Sequence, residues 1–517
     1  MKERMEELQS VKERTLRGSQ PKIDKQHKAG KLTARERIDL LLDPGSFFEW
    51  NMLSGHAEGL SAEGIVTGAG KVEGRSVCVF SQDATILGGS MGHRHGYKMH
   101  RAIERALDMR IPIVGLYDSP GARVEKPDEK GSVEVMPNND RHSGSIFYPN
   151  TQSSGVIPQI SAILGSCAGA AVYSPAITDF IFMVDGISHM FITGPRIVKS
   201  AVGQAITMDE LGGAKIHARI TGLADLRLRS EQECFRAIKR LLSFLPLSNS
   251  EPPPFKGTGD DVNRVDEKIA ELVPDIPSKV YDMHRIIERV CDNGDFLELK
   301  PEFAGEVIVC FCRMGGHTVG LIANQPMVKA GAMTVDSSDK QARFMRFCDA
   351  FNIPIVLLID TPGYMPGSAQ EHGAIIRHGA KVVYAHCESK VPRIGVILRK
   401  CYGGAQLGMG NTPGFHTDFI FYWPSAEAGL LGAKQSIELF YRDEIAAAKD
   451  PDSFRAEKVR LYSEKFGNPI HHASGNLYVE DVIHPAETRK VLIQALQFLR
   501  TKSRGDKPPR WHGNIPL

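Results

Sequence analysis

The sequence predicts an α/β protein built as two tandem copies of one domain, and three observations carry that prediction. The segment Arg110-Ile-Pro-Ile-Val-Gly-Leu-Tyr-Asp-Ser-Pro-Gly121 returns as Asn352-Ile-Pro-Ile-Val-Leu-Leu-Ile-Asp-Thr-Pro-Gly363, which sets Asp118 and Asp360 242 residues apart (360 − 118). The same offset pairs Gly74 with Gly316, Gly89 with Gly331, Met91 with Met333 and Lys98 with Lys340. It shifts to 234 where Ser166-Cys-Ala-Gly-Ala-Ala171 answers Lys400-Cys-Tyr-Gly-Gly-Ala405, and to 239 where Thr178-Asp-Phe-Ile-Phe182 answers Thr417-Asp-Phe-Ile-Phe421. Finally, short apolar runs alternate with segments of helical period in both copies, a pattern that requires a largely parallel sheet with helical crossovers. The period is far beyond the ~20–50 residues of solenoid repeats, so each copy is a whole domain able to bury its own core.

The elements follow in order. In the first copy a turn at Asp43-Pro-Gly leads into an edge strand at Phe47-Phe-Glu49, and the continuous apolar run Ser76 to Phe80 reads as a buried strand. A helix is expected over Tyr97 to Met109, with Met99, Ile103, Ala106 and Leu107 on one face. The run Ile113 to Tyr117 is a strand that Asp118-Ser-Pro-Gly121 must end, because proline cannot continue the ladder. Ile160 to Leu164 is the next strand, followed by a glycine turn, a short helix and a strand at Phe180 to Val184. The second copy repeats the series with Asp292-Asn-Gly-Asp-Phe-Leu-Glu298, Val319 to Ala323, a helix over Lys340 to Phe351, Ile355 to Ile359, Ile394 to Leu398 and Phe419 to Tyr422. Between the copies, Ser248-Asn-Ser-Glu-Pro-Pro-Pro254 with Gly257 and Gly259 cannot sustain a regular element, so the domains are set at 1–260 and 261–517.

Composition bounds the function. A chain of 517 residues, 42% hydrophobic and 24% charged with a formal net charge of +2, gives no global electrostatic basis for nucleic-acid binding. The Lys- and Arg-rich first 31 residues read as a solvated helical arm. The absence of a secretory leader pattern and of an apolar run of about 18 residues predicts a cytoplasmic protein without a membrane segment. Nine scattered cysteines, with no CxxC pair, read as reduced core residues, and no zinc site is expected.

The chemistry must lie in what the copies share, and the shared turns are poor in titratable groups. Gly169-Ala-Ala171 and Gly403-Gly-Ala405 each follow a buried strand and precede a helix, where bare N–H groups converge. A turn of this kind suits an oxyanion, and each donor aimed at developing charge is worth about 3 kcal/mol of barrier. Gly88-Gly89 and Ala330-Gly331 are candidates for the opposite wall. Other residues read more plainly. Asp118 and Asp360 fit turn caps, Cys167 and Cys401 lack a local His or acid to activate them, and His93 with His95 lacks a nearby acid for a metal. Lys98 and Lys340 sit at the start of their expected helices, where a cation is unfavourable, which leaves a phosphate or partner contact open.

With these residues in view, the chain resembles the carboxyltransferase (beta) subunits of biotin-dependent acyl-CoA carboxylases, of which propionyl-CoA carboxylase is typical. The matching segments span nearly the whole length: Lys31-Leu-Thr-Ala-Arg-Glu-Arg37 through Glu49, Gly88-Gly-Ser-Met-Gly92 with His95, Ser154-Gly-Val-Ile-Pro-Gln-Ile160, Phe191-Ile-Thr-Gly-Pro195, Glu210-Leu-Gly-Gly-Ala214, Phe347-Cys-Asp-Ala-Phe-Asn-Ile-Pro354, Tyr402-Gly-Gly-Ala405, Gly432-Ala-Lys434 and Asp481-Val-Ile-His-Pro485. The resemblance implies two crotonase-like (ClpP-type) domains of the β-β-α superhelix kind, acyl-CoA at the first and carboxybiotin at the second, in a homo-hexamer whose sites form between subunits. It implies that Gly169 and Ala170 take the thioester enolate, with Gly88 and Gly89 beside the acyl-CoA. It places Gly404 and Ala405 at the biotin ureido oxygen, with Gly331 and Gly403 beside them. No residue of this set is a metal ligand.

Three departures from the family bear on substrate. Ala170 stands where the family has a second glycine; its amide remains but its methyl narrows the approach. Gln406-Leu407 replaces the usual Tyr-Asp at a place that tunes acyl specificity, which puts propionyl-CoA in doubt. The long segment from Val124 to Tyr148 either accommodates a larger or branched acyl group or shields the subunit interface. The chain carries no Met-Lys-Met biotinylation motif and no ATP-grasp glycine loop, so biotin is expected on a partner chain, a biotin carboxylase or carboxyl-carrier subunit. The resemblance covers both acyl-CoA carboxylation and the reverse reaction, the carboxyltransferase step of a sodium-pumping acyl-CoA decarboxylase.

Overall fold

A computed structural model describes residues 1–123, 146–276, 278–475, 477–505 and 515–516, and the chain divides into two compact units, Met1–Glu251 and Pro252–Leu517. The first unit holds strands β1 (Phe48–Trp50), β2 (Ile65–Val72), β3 (Arg75–Gln82), β4 (Ile113–Ser119), β5 (Gln159–Ala168), β6 (Phe180–Val184), β7 (His189–Phe191) and β8 (Leu226–Leu228). They form one sheet in the order β1-β2-β3-β4-β5-β6-β8, with β7 added beside the end of β5. The β1–β3 part is antiparallel, and every pairing from β3 onward is parallel.

The second unit repeats this plan with β9 (Phe296–Leu299), β10 (Val307–Met314), β11 (His317–Asn324), β12 (Ile355–Thr361), β13 (Arg393–Tyr402), β14 (Phe419–Tyr422), β15 (Glu427–Gly429) and β16 (Asp481–Val482). The copies agree in detail. Hairpin β2–β3 turns at Glu73-Gly74, whose N–H groups donate to Asp43 at 3.0 and 2.8 Å; hairpin β10–β11 turns at Gly315-Gly316, whose N–H groups donate to Asp292 at 2.9 and 2.7 Å. These carboxylates fix the tight turns that set the register of the antiparallel half.

All seven residues of β4 and all seven of β12 are buried, as strands covered on both faces must be. The first core gathers Phe80, Met99, Ile103, Tyr117, Ile163 and Met183, the second Ile286, Cys310, Leu321, Val396, Trp423 and Leu492. Each large apolar side chain so buried contributes roughly 1.5–3 kcal/mol.

The crossover helices start earlier than their hydrophobic stripe indicates, at His93 (His93–Met109) and Val335 (Val335–Ala350). The second gains its extra turn from a capping box in which Thr334 and Ser337 satisfy each other's N–H groups, a pairing without the Glu or Gln that marks such boxes in sequence. Lys98 and Lys340 therefore lie within these helices and not at their starts, which corrects the expectation that they begin them. The basic N-terminal segment is largely exposed over the helix Lys2–Arg17, but its far end docks: Gln26 is buried and Lys31 reaches Asp118. Among the described residues, no helix is long and apolar enough to cross a membrane.

Candidate active site

In each unit, three turns meet at the C-terminal end of the parallel strands, where open α/β sheets bind their ligands. The donor turn comes first. β5 runs into Gly169 at φ +64°, and β13 runs into Gly403 at φ +57°, a left-handed conformation that a side chain would strain. A Cβ added at Gly169 would meet nothing within 4 Å, so this glycine is required by its backbone angle and leaves the space above it open. The helices that follow are short: Gly169 opens a 3-10 turn, Gly169–Val172, that runs into Tyr173–Ile177, and Ala405–Gly408 is a single turn, so any charge stabilisation comes from the local N–H groups and not from a long helix dipole. In the second unit the Gly403 N–H is taken by the Gly429 carbonyl at 2.9 Å, and Gly404 and Ala405 stand next, at the opening of the helix.

The second turn supplies the neighbouring wall. Leu87-Gly88-Gly89 and Lys329-Ala330-Gly331 hold the same run of three left-handed residues, with φ 49, 66 and 75° in one and 49, 56 and 77° in the other. Gly89 lies directly on the Asp118 carbonyl, and a Cβ at Gly331 would stand 2.6 Å from the Asp360 carbonyl, so only glycine fits either place.

The third turn, Asp118–Gly121 or Asp360–Gly363, joins the other two. Met91 N–H donates to Gly121 O at 2.8 Å, Met333 N–H donates to Gly363 O at 3.0 Å, and a Cβ at Gly121 would stand 2.5 Å from the Ala168 carbonyl. The β4–β5 and β12–β13 registers also slip at the same place, with Ser119 opposite Cys167 and Thr361 opposite Cys401. Bulges of this kind re-aim a strand end, here one or two residues before each donor turn.

The titratable groups nearby are committed to structure. Asp118 is buried and receives Lys31 at 2.9 Å, Arg37 at 3.0 Å and Gln26 at 2.9 Å, while Arg37 also pairs with Glu231 and donates to Leu164 O. Asp360 is met by Arg399 from the adjacent strand at 3.0 Å and by Lys400 at 3.7 Å. Lys98 donates to the carbonyls of Ala62 (2.9 Å) and Ile65 (2.6 Å), and Lys340 to those of Lys300 and Phe303 (both 2.9 Å). Burial lowers both ammonium groups to about 8, and neither reaches a surface phosphate. Burial likewise pushes the Cys167 and Cys401 thiols up to about 12, far from a thiolate nucleophile, and His95 down to about 3, so it stays neutral. Among the described residues no cluster of three potential metal ligands exists.

Three side chains near the second donor turn stand out. The Tyr364 ring lies 3.4 Å from where a Cβ of Gly404 would sit, and burial pushes its hydroxyl up to about 12. Sequence reasoning missed it; the available signal was its place after Pro362-Gly363, where the first copy has the small Ala122. Of the specificity pair, Gln406 donates to Gly429 O at 2.5 Å, which closes the turn, while Leu407 is exposed. The Val124–Tyr148 segment falls outside the described residues from 124 to 145. The site can thus offer N–H groups to a developing oxyanion, and among the described residues the acid–base groups beside the turns are held in pairs: the Tyr402 hydroxyl donates to Glu427 at 2.5 Å, and His189 Nε2 lies 3.0 Å from Asp209.

A family model described as the carboxyl transferase domain matches residues 25–515. The chain is 44% identical to the propionyl-CoA carboxylase carboxyltransferase subunit of Haloferax mediterranei, with all of both chains covered. It is 43% identical to methylmalonyl-CoA decarboxylase subunit alpha of Propionigenium modestum, with 99% of each covered. Among solved structures it superposes on a transcarboxylase 12S hexamer crystallised with methylmalonyl-coenzyme A and methylmalonic acid, at a TM-score of 0.93 and 41% identity over 100% of this chain and 98% of that one.

Proposed function

Because this chain belongs to the carboxyl transferase family and has the crotonase-like fold of the 12S subunit, we propose that it is an enzyme subunit that moves a carboxyl group between carboxybiotin and an acyl-CoA. The observation that carries the reading is the pair of glycine turns, one per unit at the same topological point, each opening on a left-handed glycine just after a slipped strand register. Gly169 and Ala170 hold the thioester oxygen as the α-carbon gains enolate character, and Gly88 and Gly89 line the acyl-CoA side. Gly404 and Ala405 hold the ureido oxygen, with Gly331 and Gly403 shaping the turn around it. Biotin, borne by a biotin carboxylase or carrier subunit, supplies the carboxyl group and the base. The protein's own part is placement of the two reactants and stabilisation of charge on two oxygens, which such chemistry needs most.

Relatives named for carboxylation and for decarboxylation are equally similar to this chain, so direction is set by the partner that docks. The same reading includes a homo-hexamer. Within this chain, apolar residues beside the two turns lie exposed at matching positions, Tyr173 with Leu407 and Ile192 with Leu430, as surfaces awaiting a neighbouring subunit do.

The test is carboxyl transfer to free biotin from a panel of malonyl-, methylmalonyl-, glutaconyl- and methylglutaconyl-CoA. Transfer that depends on both biotin and one of these thioesters is expected, and its absence across the whole panel defeats the reading. The preferred thioester identifies what Leu407 selects.

A further inference from the structure

We infer that a buried polar strut behind each donor turn, Tyr117–Ser174–Asn150–Gln159 in the first unit and Gln341–Gly408–His386–Arg393 in the second, positions the N–H donors for catalysis. The inference rests on the assignment of Gly169, Ala170, Gly404 and Ala405 as those donors. A helix of four or five residues is not stable by itself, because a single turn cannot offset the entropy of its own nucleation. Its orientation, and the aim of the N–H groups that lead into it, which in the first unit lie in the 3-10 turn Gly169–Val172, must be imposed from outside.

The chain leaves each strand at the left-handed glycine and runs back toward the strand's first residue. There Asp179 exchanges two hydrogen bonds with Gln159, and Asp418 exchanges two with Arg393. Between these fixed ends, Ser174 and Gly408 occupy equivalent positions 234 residues apart (408 − 174), five residues beyond Gly169 and Gly403.

Each of these midpoints is held by buried polar groups. Ser174 Oγ donates to Asn150 Oδ1 at 2.8 Å and receives the Tyr117 hydroxyl at 3.0 Å, while Asn150 Nδ2 donates to Gln159 Oε1 at 2.9 Å and Gln159 Nε2 donates back to the Asn150 carbonyl at 2.9 Å. In the second unit the Gly408 carbonyl accepts from Gln341 Nε2 at 2.7 Å and from His386 Nε2 at 3.0 Å. Arg393 Nη1 stands 3.2 Å from His386 Nδ1, which must therefore accept, so the single proton of the neutral ring sits on Nε2 and points at Gly408. Gly408 N–H in turn donates to the Gly404 carbonyl at 3.1 Å, one helical turn from the clamp to the donor residue. The two units reach the same arrangement with different residue types, so each strut can be cut separately.

Gln341 offers the cleanest cut. Its counterpart at the 242-residue offset is Met99, so Gln341→Met installs a shape that the sister fold already packs and removes one donor to Gly408. With the full-length protein and transfer from the preferred thioester of the panel to free biotin as the assay, Gln341→Met and His386→Leu are expected to lower kcat about fivefold or more, the effect of one lost hydrogen bond. KM for biotin should rise while KM for the thioester stays within twofold. His386→Gln keeps an N–H at similar reach and should restore most of the rate. Ser174→Ala should give the mirror pattern, with the thioester affected and biotin unchanged. Unaltered kcat in Gln341→Met, His386→Leu and Ser174→Ala, with only a lower melting temperature, overturns the inference, as does failure of His386→Gln to recover rate. A wild-type protein with no transfer at all defeats instead the functional reading on which it stands.

Discussion

At the scale of single residues, the two copies show one buried carboxylate handled in two ways. Asp360 is neutralised by Arg399 on the next strand, but the position equivalent to Arg399 in the first copy is Gly165, where a Cβ would run into the Asp118 carboxylate. Arg37 and Lys31 come in from the N-terminal segment to do the work of the missing strand arginine. A buried carboxylate without its cation costs several kcal/mol, so the difference between the copies is complementary and not free to drift. The left-handed glycine carries a direct prediction. Gly169→Ala meets no atom but strains the backbone, and should cost about 1–2 kcal/mol in urea unfolding, with Gly169→Asn milder because Asn enters that conformation more readily. Equal losses would show that packing and not φ selects the glycine. The glycines of the turns were legible in the sequence because they recur at fixed spacing; Tyr364 and Arg37 were not, since their partners are distant in the chain and only folding brings them together.

Among the elements, strands were read more easily than helix starts. Phe180–Val184 and Phe419–Tyr422 appear with the bounds their apolar runs indicate, whereas both crossover helices gain a turn at the N-terminus, from a Thr334–Ser337 box in one copy and from the docking of His95 in the core in the other. A continuous apolar run marks a strand directly; a helix start depends on which polar side chain happens to reach an N–H. The helix His284–Val290 carries a pH prediction. Its first residue lies between Glu298 (2.9 Å) and Asp282 (2.7 Å), and the hydrogen bond to Glu298, then that to Asp282, raises the imidazole from 6.5 to about 9. A raised folded value means that the stabilisation is fully present below about pH 6.5 and is lost as pH climbs through 9. The difference in melting temperature between wild type and His284→Gln should therefore shrink across that window. A constant difference would contradict the pairing.

For the molecule as a whole, duplication explains why so much recurs: hairpin, bulge, twin lysines and donor turn are present in both units. A single unit has one donor turn, and the proposed reaction stabilises two oxygens, so both are needed. The hexamer proposed for this chain has a simple check. Light scattering should give a mass near six times the 56.9 kDa of the chain, and a monomer at working concentration would refute it. By itself the sequence determined the duplication, the order of the central strands and their crossover helices, and the glycine turns, because these depend on local pattern and on repetition at fixed spacing. Only the tertiary structure decided which polar groups are consumed in holding the fold, namely Asp118, Lys98, Lys340 and His386. Hydrogen bonding is settled between residues tens to hundreds of positions apart, and no linear pattern records whether a donor has found its acceptor.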